Sequence, residues 1–211
     1  MGSEGNALEK KVIRACTDMA IRTVKGGSLF VIELEGAKKK DYYTKVFGSL
    51  RGANGKPLNV IGERNRPIIE QLAMLDGATI VDARGNIREF GVTLKRQRTF
   101  LRHGKRHAFA LGTSALKDIV CIVASEEDNH VRLFRGGVCM VDMDALTRTP
   151  SGLKGRVAEV LDTPLSKILV ASGIATSILT LNPIPAIVTI TGSSVIVSYG
   201  FDRIKRLFTG R

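Results

Sequence analysis

From Ile168 to Phe201 the chain runs 34 residues without a charged side chain. A stretch of that kind has to be covered on all sides, by lipid or by protein, and few folds accommodate it. Asn182-Pro183-Ile184-Pro185 interrupts it near its middle, because proline removes the N–H donor that a continuous helix needs. Thr163-Pro164 reads as a helix start, with Thr as N-cap and Pro in the first turn. Pro164–Leu181 and Pro185–Phe201 are then two segments, each about 26 Å long as a helix, close to the lower bound for crossing a hydrocarbon core of about 30 Å. Lys167 stands at one outer end and Arg203, Lys205 and Arg206 at the other, with no charge in the connecting turn. That asymmetry fits a helical hairpin whose two ends face the cytoplasm. Small residues such as Ala171, Gly173, Ala175 and Ser177 would let its helices approach closely. The other reading is a soluble helix with strands, buried against the domain or a partner chain. The expected division is a domain over residues 1–140, a connector over 141–163 and a hydrophobic region with a basic tail over 164–211.

The first part is patterned differently. Leu8, Val12, Ile13, Cys16, Met19, Ala20 and Val24 recur at helical spacing, and Gly26-Gly27 stops that helix as a left-handed cap. Ser28–Leu34 reads as a buried strand, 66–75 as a short helix with Pro67 in its first turn, 78–82 and 87–94 as strands joined by a hairpin turn. A helix over 107–114 and strands over 119–125 and 131–134 follow. Helices interspersed with strands, some joined by tight turns, predict an α/β fold with a mixed central sheet flanked by helices.

Charge narrows the function. Lys and Arg number 32 against 20 Asp and Glu, a formal net charge of +12, which favours a polyanionic partner. With 44% apolar and 25% charged residues the chain is not disordered. Three cysteines without a C-x-x-C pair disfavour both a disulfide scaffold and structural zinc and point to a reducing compartment. Trp is absent and aromatics are 5%, so no nucleic-acid partner is expected, since single-strand binding stacks bases on aromatic rings. The N-terminus has no apolar core before Lys10 and is not expected to be a secretory leader. P-loop, GxGxxG, HExxH and GxSxG signatures are all missing.

Between Phe90 and Lys117 there is no acidic residue, while Lys95, Arg96, Arg98, Arg102, Lys105 and Arg106 accumulate with His103 and His107. Gly104 precedes a predicted helix, so Arg106 and His107 lie near a helix N-terminus, a setting that suits phosphate. Asp76-Gly77-Ala78 lies between a helix and a strand; Asp-Gly is a common turn, and Asp there can also hold a divalent metal or activate a ribose hydroxyl. Ser125-Glu126 at a strand end offers a hydroxyl and a second carboxylate. His130 is expected to be structural or solvent-facing.

Asp76-Gly77-Ala78, Gly91-Val92-Thr93-Leu94, Gly104-Lys105-Arg106-His107 and Ser125-Glu126, in this order, resemble the diadenylate cyclase domain family. The entry at Gly26-Gly27 and the strand exit Leu133–Gly137 look alike too, so the resemblance spans roughly residues 8–137. It implies an enzyme that condenses two ATP into cyclic di-AMP and that needs a homodimer or higher homo-oligomer, because each site holds one ATP. Asp76, Arg106 and His107 would be catalytic. Gly77, Ala78, Leu94, Gly104, Lys105, Ser125 and Glu126 would join Arg106 and His107 around ATP, and Asp76 and Glu126 would hold Mg²⁺ or Mn²⁺. A cytoplasmic location follows, at the membrane's cytoplasmic face if 164–211 attaches the chain there. Ala108 stands where many members carry a second Arg, Lys105 stands in place of a small hydroxyl, and Phe109 stands where Thr or Ala is usual. A catalytically degenerate sensor that binds ATP or cyclic di-AMP is therefore the alternative.

Overall fold

The computed structural model describes residues 2–37, 41–47, 51–52, 55–100 and 103–146. The expected hairpin with its basic tail, the connector beyond residue 146, the lysine run 38–40 and Arg102 lie outside them. Among the described residues no helix is long and apolar enough to cross a membrane.

The chain order is α1 (Gly2–Arg22), β1 (Ser28–Glu33), β2 (Tyr43–Thr44), a 3₁₀ turn at Glu63–Asn65, α2 (Arg66–Ala73), β3 (Ala78–Asp82), β4 (Ile87–Leu94), α3 (Lys105–Ser114), β5 (Ile119–Ala124), β6 (His130–Arg135) and β7 (Val138–Asp144). The strands form one seven-stranded sheet in the order β2-β4-β3-β1-β5-β6-β7. Only β1 and β3 run parallel; every other pairing is antiparallel. The mixed sheet flanked by helices is the architecture the sequence predicts.

Both faces of the central strands are buried, which is why Leu29–Ile32 of β1 and all of β5 read as apolar runs. Phe30, Ile32, Val81, Ile122 and Leu133 face one side and pack on Val12, Cys16 and Met19 of α1 and Ile69 of α2. Leu29, Val31, Ile80, Val92 and Val123 face the other side, under Ala110 and Leu111 of α3. Each such aliphatic side chain contributes about 1.5–3 kcal/mol on burial, so these two layers set the strand order that positions the site.

β7 runs through residue 140 and on to Asp144, into the segment that the pattern reads as connector. Asp142 and Asp144 break its apolar alternation in the sequence. In the fold Asp142 is neutralised by its neighbours: Arg132 Nε lies 3.0 Å from Oδ2, and His130 Nδ1 pairs with Oδ1. His130 is thus a structural histidine, half-buried on β6.

Candidate functional site

The predicted site residues come from five segments, and the sheet register brings them to one end. Ser28 pairs with Ala124 across the antiparallel β1–β5 ladder, and Phe30 pairs with Thr79 across the parallel β1–β3 ladder. Ala78 pairs with Val92, and the Asp76 carbonyl lies against Gly91, 3.4 Å from where a Cβ there would stand. Asp76, two residues before β3, Gly27, just before β1, and Ser125, just after β5, therefore stand in a row at one end of three adjacent strands.

Arg106 closes over the middle of that row. It lies in the first turn of α3, and its Nη1 occupies the place where a side chain on Gly27 would begin: an ideal Cβ there would fall 2.0 Å from it. Gly27 has φ +66°, so this position needs glycine for its backbone as well as for the guanidinium. Sequence reasoning took Gly27 only as a helix stop; its second role depends on α3 packing above it.

Asp76 is exposed, and its Oδ1 accepts the Gly77 N–H at 3.0 Å. Gly77, expected to let a ligand approach the backbone, is packed against protein. At φ +102°, a Cβ would meet the Gly91 carbonyl carbon at 2.6 Å and the Val92 oxygen at 2.7 Å. Ala78 is buried at the start of β3, and Leu94 is buried at the end of β4. Phe47 and Phe90 stack at 5.6 Å beside this corner, and the Phe47 ring covers Gly91.

At the other side of the row, Gly104 is the N-cap of α3 with no side-chain cap. A Cβ on it would come within 3.2 Å of Glu127 Oε1, so the carboxylate nearest the start of α3 is Glu127. An acidic group is favoured there by the helix dipole, but the Ser-Glu-Glu run gives no sign of which Glu it is. Lys105 and Glu126 are exposed and Ser125 is buried. Ahead of α3, the extended chain at 95–98 lies on the helix: the Arg98 N–H donates to the Ala108 carbonyl at 2.9 Å, and a Cβ on Gly112 would meet the Arg96 oxygen at 2.7 Å.

His107 points into the protein. It is 3% exposed, and its Nε2 lies 3.0 Å from Arg132 Nη1. A guanidinium can only donate, so Nε2 accepts and the ring proton sits on Nδ1. Burial, then the Arg132 charge, push its pKa down to about 4; His107 is neutral near pH 7 and brings a donor but no charge. Arg132 in turn pairs with Asp128 and Asp142. Burial alone would raise the Asp128 carboxyl, but hydrogen bonds from Arg132 and the Ser125 hydroxyl hold it well below the usual carboxylate range. No signal in the sequence tied Arg132 or Asp128 to His107; the pairing is made by the β6 register and the turn that precedes it.

Among the described residues no group of three or more His, Cys, Asp or Glu side chains is placed to hold a metal ion.

The family model for the DisA bacterial checkpoint controller nucleotide-binding domain (DAC) matches residues 14–139. No protein of curated function matches the chain. Among solved structures, a hypothetical membrane spanning protein from Bacillus cereus aligns with TM-score 0.46 and 22% identity, over 61% of this chain and 59% of that one. DacA from Staphylococcus aureus, as a double cysteine mutant, aligns with TM-score 0.44 and 22% identity, over 77% of this chain and 100% of that one. The chain thus spans about 59% of the length of the Bacillus cereus protein.

Proposed function

The chain belongs to the DisA bacterial checkpoint controller nucleotide-binding family, the diadenylate cyclase family, and from that premise we propose that it condenses two ATP into cyclic di-AMP and releases two pyrophosphates. The observation that carries this reading is the row at the sheet end, with the Arg106 guanidinium over Gly27 between Asp76 and Ser125. One cationic fork beside one exposed carboxylate is the pair that a phosphoryl transfer from ATP requires.

In this reading Arg106 and Lys105 meet the phosphates, with Gly104 and Ser125 at their rim. His107, buried behind Arg106, borders the phosphate end as a neutral ring. Leu94 and Ala78 border the adenine end, beside Gly77. Asp76 takes the proton of the ribose 3′-hydroxyl as that oxygen attacks the α-phosphorus of the other ATP. Each attack forms one 3′-O–P bond and breaks one α–β anhydride bond, and pyrophosphate leaves. Two attacks close the ring. Nucleophile and phosphorus belong to nucleotides on different copies, so the reaction needs a face-to-face homodimer, and alignment of the two reactants supplies about 7–11 kcal/mol of the barrier reduction.

Mg²⁺ or Mn²⁺ fits the residues present. Mg²⁺ is commonly held by one or two carboxylates together with substrate phosphates, and Asp76, with Oδ1 already taking the Gly77 N–H, and Glu126 are the two carboxylates available. When bound, the ion would neutralise phosphate charge and acidify the attacking hydroxyl. Attachment to a membrane through 164–211 rests on the uncharged run and its basic flanks.

The test is the purified full chain with ATP and Mg²⁺ or Mn²⁺, its products resolved by chromatography. Cyclic di-AMP is expected, lost in Asp76→Asn. The sensor reading is favoured by Ala108, which leaves α3 without a second arginine beside His107; retained ATP binding with no product under either metal would establish it in place of the cyclase.

A further inference from the structure

We propose that Arg132 is a positioning residue of the nucleotide site: from β6, between two carboxylates, it fixes the buried His107 ring with its proton on Nδ1. The proposal rests on the reading of His107 as a phosphate-site residue. Arg132 is 3% exposed and touches three groups at once. Nη1 donates to His107 Nε2 at 3.0 Å, Nη2 donates to Asp128, and Nε lies 3.0 Å from Asp142 Oδ2. Its ring neighbours are His103, edge-on at 5.0 Å, Phe100, stacked at 5.9 Å, and Phe134, edge-on at 6.4 Å. Packing holds its rotamer, and the Arg132 donor makes Nε2 the acceptor.

The charged and titratable groups facing His107 are Arg132 from β6, His103 from the segment before α3, Asp128 from the β5–β6 turn and Asp142 from β7. The two carboxylates favour a proton on the ring, because an opposite charge favours the charged form, while burial and the Arg132 charge oppose it. Arg132 offsets both and occupies Nε2. Asp128 also takes the Ser125 hydroxyl, so the same guanidinium organises both polar groups on the phosphate side of the row. A fork that serves a ring nitrogen and two carboxylates together is suited to arginine and not to lysine.

The experiment follows the histidine ring nitrogens by long-range ¹H–¹⁵N NMR in ¹⁵N-histidine-labelled full chain, with ATP binding measured from pH 6 to pH 8. In the wild type the His107 signal, identified by its loss in H107Q, is expected in the neutral Nδ1–H form throughout, with ATP affinity changing less than about twofold from this group. In R132M, where burial still disfavours the charged ring but no donor holds Nε2, the ring is expected to leave the pure Nδ1–H form and ATP affinity to fall severalfold. R132K, which keeps the charge without the fork, is expected to give mixed tautomers. A wild-type ring in the Nε2–H form, or R132M and R132K signals identical to the wild type, would overturn the proposal. Should R132M fail to fold, the wild type and R132K decide it. A wild type that binds no ATP would remove the nucleotide reading, while the tautomers in the wild type and R132K would still decide the Arg132 coupling.

Discussion

Replacing Gly27 by alanine should weaken nucleotide binding by at least as much as it weakens the fold. Two costs can be worked out separately. The backbone stands at φ +66°, where an L-residue costs about 1–2 kcal/mol; for a chain of this size that lowers Tm by about 2–8 °C. The steric cost falls on Arg106. The new Cβ would sit 2.0 Å from Nη1, and that atom is the far end of a flexible side chain, so the guanidinium moves and the backbone stays. What is lost is its aim. A charge-assisted hydrogen bond contributes about 1.5–3 kcal/mol, so the Kd for ATP should rise roughly tenfold to a hundredfold. Calorimetric titration of ATP into wild type, G27A, R106A and the double variant closes a double-mutant cycle. If both changes remove the same contact, G27A/R106A binds no more weakly than R106A alone. Losses that add to within about 0.5 kcal/mol, or a G27A that binds ATP like the wild type, would refute the placement of Arg106 over Gly27.

Four other outcomes follow from the same coordinates. Gly77→Ala meets backbone at 2.6 Å, and backbone cannot swing aside, so it should lower Tm more than G27A does; overpacking alone costs about 1–3 kcal/mol, and a melt no lower than that of G27A would contradict the β3–β4 contact. Asp76→Asn should abolish cyclic di-AMP formation while ATP binding persists, read by product chromatography beside a binding titration. Stability should fall as pH drops from 6.5 towards 4, because the unfolded His107 takes a proton below 6.5 while the buried one stays neutral to about 4. Urea melts across that range should show a loss of up to about 3 kcal/mol, much reduced in H107Q, and a flat profile in the wild type would place the ring in solvent. The depressed Asp128 carboxyl adds stability that is present above the ordinary carboxylate range and lost below it, so D128N should blunt the further fall at lower pH.

Much of this protein was legible from local pattern. Helical spacing marked α1, proline the first turn of α2, and apolar runs β1 and β5, because those signals come from residues that are neighbours in the chain and answer to backbone sterics and burial on two faces. β7 escaped because its aspartates look like loop until Arg132 and His130 stand beside Asp142. Asp76, Arg106, His107 and Ser125 could be picked out by residue type and order.

What those residues do to one another depended on strands far apart in sequence becoming adjacent. The order β4-β3-β1-β5 follows from matching two buried faces across the whole sheet, and no local window carries that information. It turns Gly27 from a helix stop into the floor under a guanidinium, and packs Gly77 against β4. It also brings Arg132 beneath α3, where a low-dielectric interior and a single donor hold His107 neutral. Chain composition supplies the groups; their protonation, aim and spacing belong to long-range register and burial, since both arise only when separate segments exclude water together.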